Sequence, residues 1–156
     1  MRRYGDHVRY EWEMRAGAGG TAPAATLSFR SRRMTRVINT LRAFHMAVDG
    51  GPPPKFPMWA LYGVSDFDSA GRPLGDRAAD YEAALERILS DHGHTDLPGI
   101  PLHKLRTNLG WHVTATECAD AIRAFEDQDR PPPPVFGPRL LSFLRSARAI
   151  DGFEVH

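Results

Sequence analysis

Cysteine is all but absent from this chain of 156 residues: Cys118 stands alone. One thiol excludes an internal disulfide framework and any cysteine-only metal site. Long apolar runs are missing as well. The longest, Met58 to Val64, has seven residues, far short of the roughly 20 that span a bilayer. The opening residues Met1-Arg2-Arg3-Tyr4-Gly5-Asp6 lead into no apolar stretch, so a secretory signal is not expected. Lysine is nearly as scarce. Eighteen of the twenty cationic residues are arginine, leaving only Lys55 and Lys104. There is no glycine-rich phosphate loop, no nucleophile elbow and no internal repeat. What is present is ordinary: 42% apolar and 25% charged residues place the chain among globular proteins. The expected setting is cytoplasmic, with no membrane partner and no cofactor.

The net charge of +1 conceals an asymmetry. Residues 1–45 hold nine arginines against three acids, a balance of +6, and residues 46–156 hold eleven cations against sixteen acids, a balance of −5. Arginine grips phosphate and carboxylate in bidentate fashion, which lysine does not. A cluster at Arg30, Arg32, Arg33, Arg36 and Arg42 is therefore the candidate contact for nucleic acid or an acidic partner. The competing explanation is compositional, since Arg, Ala, Gly and Pro are abundant along the whole chain.

Hydrophobic periodicity organises the rest. Val8 to Met14 alternates with period two, as does Thr26 to Arg30, and the ten residues Ala16–Ala25 between them are only Ala, Gly, Thr and Pro. Residues 1–33 thus read as a basic arm or a hairpin, partly disordered. A start at Met34 would make them an extension whose removal leaves Tm nearly unchanged. Met34, Val37, Ile38, Leu41, Phe44, His45 and Val48 then recur at helical spacing until Asp49-Gly50-Gly51. A proline connector at 52–57 leads to Met58–Val64, expected as a buried strand. Further helices are expected over about 76–92, from Pro101 to near Gly110, from Thr114, and from Pro138 to Gly152. Thr114-Ala115-Thr116-Glu117 has the form of a capping box, with Val113 and Cys118 placed for a hydrophobic staple. Phe153-Glu154-Val155 fits a final edge strand. The expected fold is α+β, predominantly helical, with about five helices and a small sheet of two to four short strands. Residues 34–156 would form one globular domain with proline-rich connectors at 52–57 and 131–134.

Other chemistry is thin. His92, His94, His103, His112 and Cys118 fall within 27 residues, and His92, His94 and His103 are the best candidates for a metal, but their spacing fits no established ligand pattern. Asp66-Phe67-Asp68-Ser69-Ala70-Gly71 opens like a calcium loop, then fails at Ala70 and at Arg77, where a bidentate glutamate is needed. Cys118 sits near a helix start, where thiols are activated, yet a staple position turns inward. The helices flanking Gly110 mimic a helix-turn-helix, but the second carries Glu117, Asp120, Glu126, Asp127 and Asp129, which phosphate repels. Arg130–Pro134 is a polyproline segment that serves as spacer or ligand. The leading expectation is a small interaction or accessory protein of bacterial or phage type, binding another protein or itself. The alternatives are nucleic-acid association through the arginines and a metal-dependent enzyme using histidines between 92 and 112.

Overall fold

A computed structural model describes residues 11–17, 25–90 and 97–156. The first segment alternates inward and outward. Met14 and Ala16 are buried, while Glu13 and Arg15 form an ion pair on the other face. This strand, β1 (Glu11–Ala16), pairs antiparallel with β2 (Ala25–Arg30) through six unbroken registers, from Glu11 opposite Arg30 to Ala16 opposite Ala25. Met14, Ala16 and Phe29 of this strand pair are core residues.

Arg30 ends β2 and is at once the N-cap of α1 (Ser31–Ala43), which buries Met34, Val37 and Leu41. The helix stops seven residues before the first glycine of the Gly50-Gly51 pair. Phe44 caps it, and His45 adopts a left-handed conformation with φ 54°. His45 N donates to Arg42 O and Met46 N to Leu41 O, at 2.9 and 2.8 Å. That is the Schellman pattern with histidine in glycine's usual place, which hides the stop from a sequence reading. Val48, expected on the helix, instead belongs to β3 (Ala47–Val48), parallel to β6 (Ile100–Pro101).

Residues 54–90 make a unit of their own. The expected buried strand at Met58–Val64 is not there. A 3-10 turn spans Trp59–Tyr62, Gly63 closes it at φ 63°, and only Val64 is buried, opening β4 (Val64–Phe67). Strand β4 pairs antiparallel with β5 (Pro73–Gly75), and α2 (Ala78–Leu89) follows with no fully buried residue. Tyr81 packs edge-on against Tyr62 and Phe67. Asp68 organises the hairpin: Oδ1 accepts from Ala70 N and Arg72 N, and Oδ2 from Arg72 Nε, all within 2.9 Å. These bonds hold its carboxylate below its ordinary pKa. A carboxylate already saturated by its own turn accounts for the calcium-like motif without a cation.

The larger unit, residues 11–53 with 97–156, contains the core. After β6 come α3 (Leu102–Arg106), β7 (Trp111–Val113), α4 (Ala115–Glu126), α5 (Gly137–Ala149) and β8 (Phe153–Val155). The capping box at Thr114 and Glu117 forms in full, and the staple residues Val113 and Cys118 are both buried completely. The main sheet has the order β2-β1-β8-β7, so β8 is a central strand and not the expected edge. Gly152 permits this. Its φ is 82°, and a Cβ there would overlap the Val113 carbonyl. Helix α5 covers the sheet, with Phe143 against Phe153 at 5.2 Å, and α4 packs on α5. Among the described residues the protein is α+β with five helices, as expected. Among the described residues eight short strands lie in three sheets, a main sheet with four strands, within the expected two to four, and two further two-stranded sheets, and helical predominance does not follow from 45% helix against 21% strand.

Candidate anionic-partner interface

Helix α1 sets the geometry of the arginine cluster. Its inward positions are 34, 37 and 41, so Arg32, Arg33 and Arg36 fall on the solvent side, with Arg30 just before the first turn. All four are exposed, and they line one depression of about 570 Å³ together with Pro134 and Val135. Salt bridges elsewhere engage Arg15, Arg72, Arg77, Arg123 and Arg145, whereas no ion pair of Arg32, Arg33 or Arg36 is found among the described residues; Arg30 stands opposite Glu11 in the β1–β2 register. Arg42, the fifth candidate, sits in the last turn of α1 and lines no part of the depression. There it favours the negative end of the helix dipole.

Arg33 is held in place. Its guanidinium lies 5.6 Å from the centre of the Phe29 ring and near Gly137, the first residue of α5. It also borders a second depression of about 510 Å³, between β2 and the start of α5, whose far wall carries Arg139. Arg139 escaped the sequence reading because no local signal links it to residues a hundred positions earlier. Both helices that end here, α1 and α5, lack a side-chain cap and lack any acid in the first turn. Their positive dipole ends therefore add to the arginines instead of being neutralised.

His92 and His94 lie outside the described residues, and among those described no three His, Cys, Asp or Glu side chains are grouped to hold a metal. His103 packs edge-on against Trp111, with ring centres 4.8 Å apart. Burial pushes the Cys118 thiol up to about 12, with the Glu117 carboxylate adding to the shift and the Lys104 ammonium opposing it. A thiol held in that state is no nucleophile at neutral pH. The strongest buried polar contact was not anticipated: Lys104, wholly inaccessible, places Nζ 2.8 and 3.0 Å from the two Glu117 oxygens. The available hint was a rare lysine directly before apolar Leu105 and two residues after Leu102.

No helix among the described residues is long and apolar enough to cross a membrane. Comparison of the chain with protein-family models, curated proteins and solved structures finds no match.

Proposed function

We propose that this protein is an interaction module that binds an anionic protein partner at the depression formed by Arg30, Arg32, Arg33 and Arg36. The observation that carries this reading is that Arg30, Arg32, Arg33 and Arg36 all line one depression with no acidic residue among its lining, beside two helix starts without caps or acids. Such a surface raises the local concentration of anions and steers their approach. A carboxylate-bearing protein fits better than single-stranded nucleic acid, since bases bind by stacking on aromatic rings and none lines this depression. Exposed Phe56, Met58, Trp59 and Leu61 in the unit of residues 54–90 further support a life spent against other proteins.

The test is fluorescence anisotropy with labelled poly-glutamate and labelled oligo-dT over a salt series. Poly-glutamate should bind at low salt, and Arg32→Ala with Arg36→Ala should weaken it several-fold and flatten the salt dependence. Tighter binding of oligo-dT would favour the nucleic-acid alternative. Absence of binding by either polyanion, or indifference to the double substitution, would refute the reading.

A further inference from the structure

The outer edge of β2 borders the second depression, and its hydrogen-bonding groups can be assigned strand by strand. Glu13 N donates to His156 O at 2.8 Å, and His156 N to Glu13 O at 2.9 Å. Glu13 therefore spends its backbone groups on the β8 side of β1. Backbone groups alternate sides along a strand, so Trp12, Met14 and Ala16 point toward β2, where they meet Phe29, Leu27 and Ala25. On β2 the same alternation turns the N–H and C=O of Thr26 and Ser28 away from β1, toward the sheet's outside. No strand among the described residues pairs with that edge.

Edges of this kind are normally blunted by proline, lysine, a bulge or brevity. This one has six residues, an uninterrupted register, and neither proline nor lysine. Thr26, Ser28 and Phe29 form one wall of the depression, while Phe136, Arg139 and the start of α5 form the other, with Arg33 between. Donors and acceptors therefore alternate along a trough of mixed polar and apolar lining, with Arg33 and Arg139 among its residues.

We propose, building on the arginine-surface reading, that the partner is an extended acidic peptide segment that adds as a further strand to the β2 edge. Two features select this occupant. A peptide backbone offers both donors and acceptors with the repeat that Thr26 and Ser28 require, whereas a phosphodiester backbone offers acceptors only. Charge selects the side chains: carboxylates meet Arg33 and Arg139, with apolar residues alternating toward the trough. Edge-to-edge pairing of two copies is disfavoured, because it would bring two sets of β2-flanking arginines together.

The probe is a labelled ten-residue peptide of alternating Glu and Val, compared with the same peptide N-methylated at every second residue. The first should bind with salt-sensitive affinity and slow hydrogen exchange of the Thr26 and Ser28 amides. N-methylation preserves charge but removes edge donors, and should weaken binding about tenfold, as loss of a few backbone hydrogen bonds implies. Ser28→Pro should act similarly on the protein side, since proline is tolerated where an edge N–H faces outward. If the methylated and plain peptides bind equally and no β2 amide is protected, strand addition is refuted while the arginine surface stands. If both peptides and poly-glutamate fail to bind, both readings fall. A concentration-dependent dimer whose β2 amides are protected without peptide would replace the acidic segment with a second copy.

Discussion

Neutralising the buried Lys104–Glu117 pair one side at a time should produce a non-additive loss of stability. Lys104 is fully buried and Glu117 nearly so, with 13% of its side chain exposed. The carboxylate has two duties: it accepts from Lys104 Nζ, and Oε2 also accepts from Thr114 N at 2.8 Å to complete the cap of α4. Glu117→Gln keeps an oxygen for the cap but removes the charge facing a buried ammonium. Breaking a buried pair from one side costs about 3–5 kcal/mol, several times the ~1 kcal/mol of an N-cap alone. Lys104→Met keeps the volume of the stem and leaves the carboxylate its cap bond, so its loss should lie toward the lower end of that range. The double substitution removes both charges, retains the cap, and should lie within ~2 kcal/mol of the parent, because apolar replacement of a buried pair is close to neutral. Urea melts followed by circular dichroism measure all four proteins. For a chain of this size each kcal/mol shifts Tm by about 2–4 °C, so Glu117→Gln should melt about 10 °C lower. Single losses under 1 kcal/mol, or a double loss equal to their sum, would show that the pair is not coupled as the geometry requires.

Three further outcomes follow from particular contacts. The folded Cys118 thiol holds its proton to about 12, whereas the unfolded thiol releases it near its ordinary 9.0. This contribution is complete below pH 9 and is lost as pH rises. Relative to Cys118→Ala, the parent should lose about 1.4 kcal/mol between pH 8 and pH 10 in paired urea melts. An unchanged difference would contradict the burial. Deleting residues 1–30 removes β1 and β2 and with them buried Met14, Ala16 and Phe29. At about 1.5–3 kcal/mol for each large side chain, plus the exposed flank of β8, the thermal transition should lose cooperativity or fall steeply. A Tm within a few degrees of the parent would restore the view of this segment as dispensable. Finally, His45→Gly relieves a left-handed non-glycine residue at the end of α1 and should stabilise by up to about 1 kcal/mol, with no change in helical content by circular dichroism.

Much of this architecture is local and was therefore readable. The inward stripe of α1, the period-two alternation of β1 and β2, and the capping box with its staple each depend on residues within a few positions of one another. Thr114 and Glu117 satisfy each other's backbone whatever else the chain does. The arginine cluster was equally visible, because Arg32, Arg33 and Arg36 inherit their shared face from the same period that buries Met34 and Val37.

Contacts between distant positions decided the rest. The helix stop at His45 has no glycine to announce it and is fixed by bonds from His45 and Met46 back to Arg42 and Leu41. Phe153–Val155 looks like an edge until β1 and β7 close on both sides of it. The apolar run at Met58–Val64 satisfies a hydrophobic pattern, yet buries only Val64, since burial depends on what packs against a segment and not on its composition. The joining of Arg139 to Arg33, and of Lys104 to Glu117, has the same origin. Sequence determined which residues lie on each helix face and where α4 begins. Tertiary structure alone decided which faces meet, which charges are buried, and that an unblunted strand edge lies beside the arginines.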